Sequence, residues 1–141
     1  MKHPWLNGLA MLCLALPTWA QKTTVANLEL HVEAMPTTTL TAEAAENYRV
    51  ERSADRGLLL VTVMKRERGN VATIPAQVYA GAMNQNNLTI SIPLREVKDG
   101  KVVYYLGEFQ LTPPDEFHFL VNANVLGTPL KAEFTRRFPK D

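Results

Sequence analysis

Cysteine is nearly absent from this chain. The 141 residues contain one cysteine, Cys13, which lies in an apolar run close to the N-terminus. If that run is removed on export, the remaining chain has no thiol, which excludes disulfide bonds and cysteine-based catalysis. A glycine-rich phosphate loop is also missing, and no serine, histidine and aspartate stand in a spacing that suggests a triad. We therefore predict no catalytic residue, no enzymatic activity and no cofactor.

An excess of charge of one sign is lacking as well. The chain has 15 lysines and arginines against 14 aspartates and glutamates, and loss of Lys2 on export leaves 14 of each. A balanced surface gives no electrostatic reason to bind nucleic acid or anionic lipid. We predict no nucleic-acid partner.

The first 20 residues have the layout of a cleavable signal peptide. Lys2 gives a positive start, residues 6–16 are almost purely apolar, and small residues lead up to Ala20. The apolar run is shorter than the roughly 20 residues of a membrane helix, and no second such run follows. We predict cleavage after Ala20, a periplasmic location, and one soluble domain over residues 21–141 with no membrane span.

Strand-type periodicity dominates the rest of the chain. Apolar and polar residues alternate in most of the runs, and the run 57–64 is continuously apolar, which is typical of a central strand with both faces covered. The one helical candidate is Thr41–Tyr48. Seven runs separated by turn residues predict an all-β fold: a single immunoglobulin-like β-sandwich of about seven strands with one short helix. The predicted strands are 28–32, 57–64, 74–82, 88–94, 103–111, 117–123 and 130–134.

Asp99-Gly100 is a strong hairpin signal, because both central residues of a type I′ turn need a positive φ. With these two residues as the loop, the predicted pairs are Lys98 with Lys101, Arg95 with Tyr104, Leu94 with Tyr105, Ile92 with Gly107, Ile90 with Phe109 and Leu88 with Leu111.

This register assigns the two adjacent tyrosines to opposite faces. Tyr105 is predicted to lie in the core, and Tyr104 on the outer surface beside Arg95. Pro93 cannot donate a ladder hydrogen bond, which predicts an open strand edge or a bulge at that position.

The segment 49–56, RVERSADR, is the most densely charged part of the chain. Arg52, Asp55 and Arg56 could bind a charged partner group, as arginine side chains do. The ordinary interpretation is a polar connection that leads into a buried strand. If the chain uses a surface for binding, we predict these three residues together with Arg95, Tyr104 and Glu108 of the hairpin.

Two histidines, His31 and His118, follow the predicted leader, and both occupy polar positions of their strands. Imidazole and carboxylate groups suit zinc and copper, so a metal site that uses both histidines and nearby glutamates is one hypothesis. The alternative is that both belong to solvated sheet faces.

Two stretches carry a more specific residue pattern. They contain Arg52, Ser53, Arg56, Gly57 and Leu58 in the first, and Arg95, Glu96, Val97, Tyr104, Tyr105 and Leu106 in the second. In these residues the chain resembles a bacterial periplasmic family known as domain of unknown function 4426. Val50 stands where that family usually has isoleucine, Arg49 replaces a glycine, and residues 130–135 match loosely. The resemblance implies a secreted β-sandwich and supplies no activity or catalytic residue.

Export, a β-sandwich and the missing catalytic patterns together favour a non-catalytic binding or accessory module. Its partner would be another periplasmic or envelope protein, or a small ligand. The two other hypotheses are a metal-binding periplasmic protein and a structural accessory subunit.

Overall fold

The computed structural model describes residues 20–140, and the predicted signal peptide lies outside this range except for Ala20. The strands are β1 (Ala20–Val25), β2 (Leu28–Pro36), β3 (Arg56–Glu67), β4 (Asn70–Thr73), β5 (Gln77–Asn84), β6 (Thr89–Ile92), β7 (Arg95–Asp99), β8 (Val102–Gln110), β9 (Asp115–Val125) and β10 (Thr128–Phe138). A 3-10 turn, Thr37–Thr39, and one helix, α1 (Ala42–Tyr48), connect β2 to β3.

The strands form two antiparallel sheets. Sheet A has the order β1-β2-β3-β8-β7, with β4 also paired to β3, and sheet B has the order β10-β9-β5-β6. All seven predicted strands are present, and the sandwich prediction is confirmed. Within residues 20–140 three further strands occur: β1 is mostly polar, β4 has four residues, and β7 is separated from β6 by a break at Pro93.

The helix and the central strand agree with their predictions. Thr41 caps α1, because its Oγ1 accepts the backbone N–H of Ala44 at 3.0 Å. Strand β3 lies between β2 and β8, and its neighbours Leu58 and Leu59, which point to opposite faces, are both 0% exposed. The covering of both faces explains why the apolar run 57–64 is continuous.

All five phenylalanines of the chain meet in the core between the sheets. Their ring centroids lie 5.2 to 6.5 Å apart, mostly in edge-to-face contacts. Burial of each such side chain stabilises the fold by about 1.5–3 kcal/mol. The five rings pack together with aliphatic side chains from both sheets, such as Leu30, Leu59 and Val121.

The β7–β8 hairpin has a different register from the predicted one. Asp99 pairs with Val102, so the two loop residues are Gly100 and Lys101, and Gly100 has a φ of 64°. Glycine at the first loop position with a positive φ is typical of a type II′ turn, which competes with the type I′ turn that Asp-Gly also permits. None of the six predicted pairs is formed.

Pro93 marks the point at which the chain changes sheets. Before it, Ile90 and Ile92 of β6 pair with Ala82 and Ala80 of β5 in sheet B. After it, β7 joins sheet A beside β8. The predicted long hairpin between residues 88–94 and β8 was therefore wrong, because the proline that interrupts the ladder also ends the strand.

Candidate binding surfaces

The residues predicted for a binding surface gather around the outer face of sheet A. Arg56 begins β3 and lies diagonally across from Glu108 on β8. Its Nη1 is 3.2 Å from Glu108 Oε1, and its Nη2 is 3.4 Å from Glu51 Oε1. Arg56 and Glu108 remain partly exposed, so this pairing contributes little to stability.

Asp55 and Arg52 complete this polar cluster. The Ser53 hydroxyl donates to the Asp55 carboxylate, and the Asp55 carbonyl accepts the Leu111 N–H at 2.8 Å. Arg52 Nη2 donates to the Thr38 carbonyl at 3.4 Å, and within residues 20–140 no carboxylate lies within ion-pair distance of it. A shallow pocket of about 400 Å³ lies beside Asp55, Arg56 and Glu108.

Tyr104 does not lie on the surface. It faces away from the main core, as predicted, but is only 9% exposed because residues 37–50 cover this part of sheet A. Its ring meets that of Tyr48 edge-on, with 5.5 Å between centroids. Burial raises the pKa of the Tyr104 hydroxyl. The predicted surface position was wrong because α1 forms a second, smaller core with Val50, Leu58 and Leu106.

Arg95 also has a structural role. Its guanidinium donates to the Tyr48 carbonyl and, at 3.4 Å, to the Arg49 carbonyl, where α1 ends. The last carbonyls of a helix lack partners within the helix, and a cation there is also favoured by the helix dipole. Arg95 therefore fixes α1 to sheet A.

The two histidines lie on opposite sides of the sandwich. His31 stands between core residues Leu30 and Val32 and so faces outward from sheet A, whereas His118 stands between Phe117 and Phe119 and faces outward from sheet B. A metal site that uses both is excluded, because the core separates them. In residues 20–140 no group of three His, Cys, Asp or Glu side chains is placed to hold a metal ion.

Each histidine has a glutamate partner of its own. His31 Nε2 lies 2.9 Å from Glu29, whose carboxylate also accepts from Arg66 at 2.8 Å. These two hydrogen bonds lower the pKa of Glu29 to about 2. His118 Nε2 lies 2.9 Å from Glu133 Oε2, and its Nδ1 is 3.0 Å from Thr135.

The outer face of sheet B carries an apolar patch that was not predicted. It consists of Tyr79, Met83 and Leu120, which are 70%, 39% and 36% exposed, and we call it the sheet-B patch. The register places Leu120 opposite Gly81, midway between Tyr79 and Met83 on β5. Large apolar residues at the outward positions of β5 were the available signal, since the small residues Ala80 and Ala82 fill the inward ones.

No helix in the described part of the chain is long and apolar enough to cross a bilayer.

Comparisons with known proteins agree with this architecture. The fold is similar to the crystal structure of a DUF4426 family protein from Pseudomonas aeruginosa PAO1, with 18% identity and a TM-score of 0.72 over 89% of this chain and 99% of that one. It is also similar to a copper-bound variant of FetP from uropathogenic Escherichia coli strain F11, with 8% identity and a TM-score of 0.59 over 85% of this chain and 95% of that one. At these identities the likeness concerns the fold. No curated protein sequence matches the chain significantly.

The family model for the domain of unknown function DUF4426 matches residues 22–141. It covers nearly all of the described sandwich, including both stretches whose residue pattern resembled that family. The chain belongs to the DUF4426 family.

Proposed function

We propose that this chain is an exported, non-catalytic binding module that docks onto another protein of the cell envelope through the sheet-B patch. The observation that carries the proposal is the exposure of Tyr79, Met83 and Leu120 side by side on a sheet face. On the outer face of sheet A, in contrast, the apolar residues Leu58, Tyr104 and Leu106 are buried beneath α1 and the segments beside it.

The composition of this face favours a protein partner. Tyrosine and methionine are enriched at the centres of protein interfaces, where tyrosine is often an energetic hot spot. The sheet-B patch is bordered by the polar residues Asn122, Ser91 and His118 and by Glu133, and a polar border suits the rim of an interface.

The cations on this face are already paired. Lys131 lies 3.0 Å from Glu133, and Arg137 lies 3.6 Å from Glu116. Paired cations attract an anionic bilayer weakly, because the neighbouring carboxylates are repelled by it. A protein surface with an apolar centre therefore fits better than a membrane.

Site-specific photocrosslinking in the exporting cells tests the proposal. A photoreactive amino acid at position 79 should give one discrete heterologous adduct, and a second substitution, Leu120→Gln, should abolish it. Leu120 is partly exposed, so the substitution should leave the fold intact. The matched control places the same amino acid at Arg52, in the polar cluster of sheet A.

Three results would overturn this proposal. The first is no adduct from position 79, and the second is an adduct that survives Leu120→Gln. The third is an adduct from position 52 alone, which would transfer docking to the surface around Arg52, Asp55, Arg56 and Glu108. An adduct of the chain with itself would instead indicate a structural subunit that assembles from copies.

The proposed export has a separate test. Periplasmic extracts should contain the chain with Gln21 as its first residue, as read by N-terminal sequencing. An intact Met1 in the cytoplasmic fraction would contradict export and leave the docking surface to be tested by crosslinking alone.

Metal binding at His118 is a second candidate function. His118 Nε2 and Glu133 Oε2 are 2.9 Å apart, and Met83 is paired directly with His118 across β5 and β9. Imidazole, carboxylate and thioether groups together suit copper, and the FetP variant similar in fold contains copper. Elemental analysis of untagged protein tests this site by comparing the metal content of His118→Ala with that of His31→Ala. Metal binding at His118 predicts that only His118→Ala loses the metal. Metal content that follows neither substitution would exclude this site.

A further inference from the structure

A cleft of about 740 Å³ opens between the two sheets at one end of the sandwich. Three connections form its walls: the start of β2 after the β1–β2 turn, the β4–β5 connection and the β9–β10 turn. The apolar residues among them include Leu28, Ile74, Ala76, Val125 and Leu126. Ile74, Ala76 and Val125 pack against the core and are partly buried. This volume and an apolar lining are typical of small-molecule sites.

Two hydrogen bonds hold the β4–β5 wall in place. The Ile74 N–H donates to the Val63 carbonyl at 2.9 Å, and the Ala76 N–H donates to the Tyr105 hydroxyl at 2.9 Å. That hydroxyl is in turn 3.2 Å from a Glu96 carboxylate oxygen, to which it donates. These hydrogen bonds fix the position of residues 74–76 relative to β3 and β8.

Leu126 stands at the lip of this cleft in a conformation that suits leucine poorly. It is fully exposed, and its φ of 48° lies in the left-handed region that bulky side chains avoid. Leu126 and Gly127 form the two-residue β9–β10 loop, for which Asn-Gly is the favoured pair. The side chain thus helps neither the turn nor the core, and it extends the apolar wall of the cleft.

One cation stands at the mouth of the cleft. Lys65 continues the inward-facing positions Leu59, Val61 and Val63 of β3 and is paired with Leu28, so it projects into the open end of the core layer. Its Nζ is 3.5 Å from Glu67, with both side chains well exposed, and such a pair is easily exchanged for another anion. No acidic residue lies among the described residues that line the cleft.

We propose that this cleft binds an anionic amphiphile, with its acyl chain against Ile74, Val125 and Leu126 and its head group on Lys65. Apolar walls with one cation at the mouth complement a ligand whose hydrocarbon chain ends in a carboxylate or a phosphate. The cleft and the sheet-B patch are separate surfaces, so this proposal goes beyond the docking function and can fail without it.

Titration of the purified chain with decanoate, decyl phosphate and decanol, all below their micelle concentrations, tests the proposal. Calorimetry should give saturable binding of both anions, and decanol should bind on the order of tenfold more weakly, since a charge-assisted contact is lost. Amide chemical shifts should change around residues 74–77 and 124–128. A preference between the two anions would identify the natural head group as carboxylate or phosphate.

Two variants with matched controls locate the site. Lys65→Gln should weaken binding of both anions to the level of decanol, whereas Lys98→Gln, in the β7–β8 hairpin, should not. Leu126→Asn should weaken binding several-fold while the melting temperature stays equal or rises, because asparagine suits the left-handed turn position. Leu88→Asn alters an exposed leucine at the opposite end and should leave binding unchanged.

Equal binding of decanol and decanoate would overturn the role of Lys65. Shift changes spread over the whole chain, or binding unaltered by Leu126→Asn, would overturn the cleft as the site. Because these measurements need no partner protein, they are independent of the crosslinking result.

Discussion

The ring of Tyr104 packs edge-on against the ring of Tyr48, so that the hairpin β7–β8 and the helix α1 share one small apolar cluster. Tyr104, which was predicted for a binding surface, therefore contributes to the packing of the fold. Tyr104 is therefore not available to a binding partner, whereas Tyr79 on sheet B is exposed.

Substitution of Tyr104 should therefore affect stability strongly. Tyr104 is only 9% exposed, and for Tyr104→Ala we expect a loss of about 3 kcal/mol in the free energy of unfolding. The matched control is Tyr79→Ala, since Tyr79 is 70% exposed and should change stability by no more than about 0.5 kcal/mol. Urea denaturation of both variants measures the difference. Similar losses for the two tyrosines would contradict the burial of Tyr104 under α1.

Arg95 should hold α1 in place. Arg95→Ala removes the donors to the Tyr48 and Arg49 carbonyls, and we expect a loss of about 1 kcal/mol together with faster amide hydrogen exchange in residues 45–50. Lys98→Ala, on the same strand, is the control and should leave exchange in α1 unchanged. If the amides of α1 exchange at the wild-type rate in Arg95→Ala, the hydrogen bonds from Arg95 to the end of α1 do not stabilise the helix.

Gly57 should tolerate no side chain. It is paired with Phe109, and a Cβ at Gly57 would lie 2.4 Å from the phenyl ring. The ring is held by Phe117, Phe119 and Phe138, so Gly57→Ala should destabilise the fold by about 1–3 kcal/mol.

Gly81→Ala is the control for Gly57→Ala. There a Cβ would lie 3.2 Å from the Ile90 carbonyl oxygen, a milder crowding than at Gly57. Thermal or urea denaturation compares the two variants. A loss for Gly81→Ala as large as that for Gly57→Ala would show that the effect comes from the strand backbone and not from the ring.

Glu29 should make the free energy of unfolding depend on pH in the acidic range. Its pKa in the folded chain is lowered from 4.5 to about 2 by His31 and Arg66. A depressed carboxylate pKa stabilises the fold above the unfolded-state pKa, and that contribution is lost as the pH falls from 4.5 towards 2. In Glu29→Gln, unfolding in this window should take up roughly one proton fewer than in the wild type.

The measurement is urea denaturation at a series of pH values between 2 and 6. Glu33→Gln, two positions beyond His31 on the same outward face, serves as the control for loss of a carboxylate from this strand. An unchanged pH dependence in Glu29→Gln would show that the His31–Glu29–Arg66 contacts do not persist in solution.

Parts of the candidate sites were within reach of sequence reasoning. A binding role for Arg52, Asp55, Arg56 and Glu108 stays a prediction. The structure brings Asp55, Arg56 and Glu108 together, because segment 49–56 leads directly into β3 and β8 is its neighbour. The charged segment itself was visible in the sequence. The end cleft was not, since Leu28, Ile74 and Leu126 are far apart in the chain and meet only when three connections come together. Lys65 lies just beyond the predicted strand 57–64, so its inward position depends on the extension of β3 to Glu67.

Local sequence alone determined where seven of the ten described strands lie, which of their side chains face the core, and where α1 forms. These properties depend on alternation of apolar residues and on turn and cap residues within a few positions of each other. The tertiary structure decided the sheet in which each strand pairs, the change of sheet at Pro93, the burial of Tyr104 and the exposure of Tyr79. These depend on hydrogen bonds and packing between segments distant in the chain, and a one-dimensional pattern does not specify those partners.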